Sequence, residues 1–140
     1  MVSVDEKGLD AVRAKSLGNV LVLNLWATWC KPCVQEFPEL LKLQREYRKK
    51  GLEVVFISID DDLKAKQKVL AFLKKMKVTG TFYIKQTEDD ELFINAVDPK
   101  WSGALPTTLI YDPSGRLVEM NVEQLNFFEL EKIVKPLLRY

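Results

Sequence analysis

Apolar residues follow two spacings along the chain, and together they predict most of the elements. Val20 to Trp26 is an apolar, β-rich run, consistent with a strand buried on both faces. Leu52 to Ile59 repeats that pattern and ends at Asp60-Asp61-Asp62. Between them, from Cys30 to Lys50, Val34, Phe37, Leu40, Leu41, Leu43 and Tyr47 form one broad stripe at helical spacing, and Lys49, Lys50 and Gly51 supply a stop. A shorter helix is expected over Asp5 to Leu17, closed by Gly18-Asn19.

The second half reads the same way. Leu63 to Met76 predicts a helix with Val69, Phe72, Leu73 and Met76 on one face. Thr81 to Ile84 is a short strand, Glu88 to Val97 a short helix and Asp98 to Gly103 a loop. Thr107 to Tyr111 and Arg116 to Met120 are strands joined by Asp112-Pro113-Ser114-Gly115, a turn with proline at its second position. Gln124 to Tyr140 is a final helix, with Phe127, Leu130, Val134 and Leu137 facing inward and Pro136 weakening its last turn. The order is α-β-α-β-α-β-α-β-β-α. Strands alternating with helices imply parallel pairing, and the closing hairpin makes the sheet mixed, so a three-layer α/β/α sandwich is expected.

Composition narrows the chemistry. The 140 residues suit one domain, 1–140. With 21 Lys+Arg against 20 Asp+Glu the net charge is +1, which lacks the basic excess of a nucleic-acid module. The lysine-rich stretches Arg45 to Lys50 and Lys64 to Lys77 sit between apolar positions and read as solvated helix faces. Asp60, Asp61 and Asp62 read as a loop with an N-cap, ahead of a cation site. No run approaches 18 apolar residues, so no membrane span is expected. The polar, acidic start is not a signal peptide; the protein is cytoplasmic, or its signal or anchor lies ahead of Met1.

There is no histidine. That removes the Ser-His-Asp triad, the Cys-His pair and His-ligated zinc. Two cysteines, Cys30 and Cys33, are too few for a disulfide scaffold. At i and i+3 they share one face of a helix start, just after a buried strand. Unpaired N–H groups and the macrodipole there favour a thiolate at Cys30, and Lys31 adds a nearby positive charge. Pro32 fits the first turn, where it costs no hydrogen bond. Cys33 lies one turn deeper and is expected to be less exposed and to attack second. Half of a zinc site, and two inert core cysteines, are the competing readings of the pair.

The cysteines stand in Asn24-Leu-Trp-Ala-Thr-Trp-Cys-Lys-Pro-Cys33, with Pro38 five residues on; Gly103-Ala-Leu-Pro-Thr-Thr108 precedes a later strand. These two blocks, with the element order, resemble the thioredoxin superfamily. Cys33 and Pro106 are 73 residues apart, longer than a plain thioredoxin needs. The extra helix and strand, approximately residues 63–84, resemble the insertion of TlpA/ResA-like thiol–disulfide oxidoreductases. So does Asn24, where cytosolic thioredoxins carry a buried Asp. The resemblance implies a thioredoxin-like fold and a cis bond at Pro106, with the Leu105 backbone raised toward the sulfurs to pair with extended substrate. It implies that Glu36 tunes the two thiols; the alternative is a solvated glutamate on the helix surface. Trp29 is expected as an exposed platform beside Cys30, Trp26 as core and Trp101 as a loop anchor.

The chemistry expected is dithiol–disulfide exchange with catalytic Cys30 and Cys33. Trp29, Lys31, Pro32, Glu36, Leu105 and Pro106 bind substrate or modulate the pair. No metal and no cofactor are called for, because the electrons reside in the Cys30–Cys33 disulfide. Expected partners are protein thiol or disulfide substrates and an upstream dithiol reductant, with the protein a monomer. The resemblance favours a reductase in an extracytoplasmic space, serving apocytochrome or other thiols there. Two alternatives are a peroxiredoxin-like peroxidase and a non-catalytic binding module. The first needs a Thr-x-x-Cys nucleophile, and Ala27 stands at that threonine's place.

Overall fold

The computed structural model describes residues 1–78 and 80–139. In chain order its first elements are β1 (Val2–Val4), α1 (Leu9–Ala14), β2 (Val20–Trp26), α2 (Lys31–Tyr47) and β3 (Leu52–Ser58). There follow α3 (Ala65–Lys75), β4 (Tyr83–Lys85), α4 (Asp90–Val97), β5 (Thr107–Tyr111), β6 (Leu117–Asn121) and α5 (Phe127–Val134). Short 3₁₀ turns at Arg48–Lys50 and Lys135–Leu137 extend α2 and α5. The six strands make one mixed sheet in the order β1-β4-β3-β2-β5-β6. β2 is central, parallel to β3 and antiparallel to β5.

Every residue of β2 is buried because helices cover both faces of the sheet. Val20, Val22 and Trp26 point to one side, where they meet Phe37, Leu40 and Leu43 of α2, Val69 and Leu73 of α3, and Leu130 and Val134 of α5. Leu21, Leu23 and Leu25 point to the other, against Leu9 and Val12 of α1 and Phe93 and Val97 of α4. An aromatic cluster ties α2 and α3 to the sheet. Phe37 stacks on Phe56 at 4.1 Å between centroids, and Trp26 lies 5.0 Å from both Phe37 and Phe72.

Several boundaries differ from the sequence expectation, each for a local reason. β1 was not expected: Val-Ser-Val is too short to show a period, and it becomes a strand by pairing with β4, Val2 to Tyr83. The first helix starts at Leu9 instead of Asp5, because the Asp5 carboxylate accepts from the N–H groups of Lys7 and Gly8 and forms a turn. α3 begins at Ala65, leaving Leu63 in the loop and fully exposed. α5 begins at Phe127, where Asn126 and Glu129 form a capping box, and gives way to the 3₁₀ turn at Lys135, just before Pro136. Thr79, within the expected insertion, and Tyr140, the expected helix end, lie outside the described residues. Gly51 closes the 3₁₀ turn after α2 in the left-handed region, at φ 87°.

Candidate active site

Cys30 leaves β2 by a turn in which its N–H donates to the Ala27 carbonyl at 3.1 Å. It is the N-cap of α2, with extended backbone, and its Sγ accepts from the N–H of Cys33 at 3.3 Å. Lys31 and Pro32 occupy the first helical positions and are exposed. The two sulfurs are joined as a disulfide, with Cα atoms 5.3 Å apart. Cys30 keeps 7% of its surface exposed and Cys33 1%. The less buried cysteine thus caps the helix N-terminus and the more buried one lies a turn behind it. Negative charge on Cys30 is favoured there by the helix dipole and by the Cys33 N–H.

Trp29 is 66% exposed, beside Cys30, and Trp26 is core. The Leu105–Pro106 bond is cis, directly before β5; Leu105 is half-buried and Pro106 buried. The preceding loop is fixed by Trp101, which is buried and donates its indole N–H to the Ala104 carbonyl and to Thr107 Oγ1, both at 3.0 Å. Trp29, Trp101, Ile59, Ile94 and Lys85 line a cavity of about 180 Å³.

Glu36 is not on the helix surface. It is 0% exposed, one turn beyond Cys33 and on the same side of α2. Its Oε1 accepts from Asn24 Nδ2 at 2.9 Å and its Oε2 from the N–H of Leu125 at 2.7 Å. Asn24 Nδ2 also donates to Thr108 Oγ1 at 3.1 Å. Burial raises the Glu36 carboxyl from its ordinary 4.5 to about 7, against the lowering effect of its Leu125 and Asn24 hydrogen bonds.

The aspartate run divides. The α3 N-cap is Lys64, which caps with no side-chain bond, so none of the three aspartates is the N-cap. Asp62 accepts from the Lys64 N–H and from Lys68 Nζ, and Asp61 pairs with Lys85 at 3.5 Å. Asp60 is buried and grips Thr28 and Ser58. Sequence reasoning gave no role to Thr28, Ser58, Thr108 or Leu125. Thr28 and Thr108 stood within the quoted motifs; nothing local signalled Ser58 or Leu125.

A family profile described as Redoxin matches residues 3–134. The thioredoxin-like protein YneN of Bacillus subtilis is 37% identical over 115 residues, which cover 82% of this chain and 63% of YneN. The thiol-disulfide oxidoreductase ResA of Bacillus anthracis is 29% identical over 129 residues, covering 86% of this chain and 64% of ResA. The chain therefore spans under two thirds of these relatives' length. Among solved structures, a thioredoxin-family thiol:disulfide interchange protein from Chlorobium tepidum superposes with a TM-score of 0.73 at 24% identity, over 89% of this chain and 83% of that one. A DsbF homologue from Corynebacterium diphtheriae gives 0.74 at 24% identity, over 89% and 75%. Both share the fold.

Proposed function

The chain belongs to the Redoxin family and is a TlpA/ResA-like member of the thioredoxin superfamily, and on that footing we propose that it exchanges disulfides with protein thiols through Cys30 and Cys33. The reading rests on one observation: a bonded cysteine pair at the N-terminus of α2, with Cys30 the less buried of the two. Cys30 thiolate attacks a substrate disulfide, forming a mixed disulfide and releasing one substrate thiolate. Cys33 thiolate then attacks Cys30 Sγ, releases the second substrate thiolate and leaves the Cys30–Cys33 disulfide. The two electrons gained by the substrate come from the two cysteines, so the cycle calls for no cofactor. A dithiol reductant returns them.

Trp29, Lys31, Pro32, Leu105 and Pro106 form the substrate-facing surface in this proposal. Glu36 modulates the thiols: its carboxylate, close to Cys33 along α2, disfavours a second negative charge there. Glu36→Gln should therefore lower the pH midpoint for alkylation of Cys33. We take residues 1–140 as one domain with 63–84 as its insertion, monomeric, and working as a reductase outside the cytoplasm.

Reduction of insulin disulfides driven by dithiothreitol tests the exchange. Cys30→Ser should fall to the uncatalysed rate, and Cys33→Ser should accumulate a mixed disulfide visible by mass spectrometry. Full activity in Cys30→Ser would falsify the mechanism. A redox titration of the pair against glutathione tests the direction: a low potential supports the reductase, and one near the oxidising end of about −120 mV removes it.

A further inference from the structure

Asp60 is a buried carboxylate to which the exchange chemistry assigns no task. It is 1% exposed and lies two residues past the end of β3. Both of its oxygens converge on one residue of the cysteine loop. The N–H of Thr28 donates to Oδ1 at 3.2 Å and to Oδ2 at 3.0 Å, and Thr28 Oγ1 donates to Oδ1 at 2.5 Å. Ser58 Oγ donates to Oδ2 at 2.5 Å, and the Asp60 N–H donates to Ser58 Oγ at 3.0 Å. Beside this clamp the Ile59 N–H donates to the Trp26 carbonyl at 2.8 Å. The end of β3 thus grips the segment that runs from β2 into α2.

A carboxyl out of water is costly unless its lone pairs are satisfied. Here they are satisfied by Ser58 Oγ and by two donors of Thr28, two residues before Cys30, in the turn that ends at the Cys30 N–H. That turn carries Trp29 and ends at Cys30, whose Sγ accepts from the Cys33 N–H. We propose that Asp60 is a positioning residue for disulfide exchange: through Thr28 it fixes the Ala27–Cys30 turn, so that Cys30 Sγ is held on the α2 N-terminus and Trp29 faces the incoming substrate. This rests on Cys30 being the attacking sulfur. Asp60 acts through hydrogen bonds to Thr28, not through its charge.

The variants Asp60→Ala, Asp60→Asn and Thr28→Val separate these roles. Two readouts apply: kcat/KM for insulin reduction, and the pH midpoint for iodoacetamide alkylation of Cys30 in a Cys33→Ser background. Misplacing a reacting group by about 1 Å costs up to roughly a hundredfold. Asp60→Ala should lose about tenfold or more in kcat/KM and raise the Cys30 midpoint, because the thiolate leaves its donor. Asp60→Asn still accepts from Thr28 and should stay within about threefold of the wild type. Thr28→Val loses one donor and should lose less than Asp60→Ala; adding it to Asp60→Ala should cost nothing further.

A folded Asp60→Ala with wild-type rate and midpoint overturns the proposal. So does Asp60→Asn as impaired as Asp60→Ala, which would make the charge the active property. If Asp60→Ala does not fold, Thr28→Val decides: unchanged values in both readouts overturn the proposal as well. A wild type that fails to reduce insulin would instead remove the exchange reading, and the alkylation midpoint would still report on Asp60.

Discussion

Asn24 donates its side-chain amide to Oε1 of Glu36 at 2.9 Å, so β2 reaches the underside of α2 one turn beyond Cys33. Asn24 lies on the same face of β2 as Val22 and Trp26, the face α2 covers. Leu125 closes the other side of the carboxyl with its N–H, at 2.7 Å. A carboxyl with two donors and no water contact is held in place whatever its charge, and burial is what shifts its titration.

That shift has a sign. Glu36 titrates at about 7 in the fold, against an ordinary 4.5. Between those values the folded chain keeps a proton that the unfolded chain has lost. Stability therefore falls as pH rises from about 4.5 to 7 and levels off above, by at most about 3 kcal/mol from this group. Urea denaturation at a series of pH values should show this slope. Glu36→Gln should flatten it, since the Asn24 amide can turn to meet the new side chain.

Trp101→Phe tests the loop before the cis proline. The substitution keeps most of the buried ring but deletes the donor to Ala104 and Thr107. A loss of about 1–2 kcal/mol is expected in chemical denaturation. A fall in kcat/KM for insulin reduction should accompany it, because the same loop carries Leu105.

Trp29→Ala should behave differently. Its side chain is largely in water, so stability should stay within about 0.5 kcal/mol of the wild type. Steady-state kinetics should show a raised KM for protein disulfides with kcat little changed. A small disulfide such as oxidised glutathione should be affected less, since it has less surface to lay on the ring.

Phe37→Ala removes the hub of the aromatic cluster. Phe37 is fully buried against Trp26, Phe56 and Phe72. The expected cost is about 3–5 kcal/mol by urea denaturation, from lost burial and the cavity left behind. Phe37→Leu should cost less, because it refills part of that volume.

The amino-acid sequence by itself determined the alternation of strands and helices, because continuous apolar runs and helical stripes are local signals. Val20–Trp26 and Phe37 to Tyr47 declared which faces must be covered, and Cys30-Lys-Pro-Cys33 after a buried strand marked the cysteine pair at a helix start. Element ends were less legible. Asp5 and Asn126 set theirs by side-chain hydrogen bonds that compete with periodicity, and β1 exists only through its pairing with β4. Tertiary structure alone decided the burial of the two carboxylates, Glu36 and Asp60. A glutamate at a polar-looking helix position became buried because Asn24 and Leu125, 12 and 89 residues away, supply its donors. Asp60, one of three consecutive aspartates, turned inward because Thr28, 32 residues earlier, offered an N–H and a hydroxyl. The energy of a buried charge depends on partners that the chain brings together only on folding, and no local pattern carries that information.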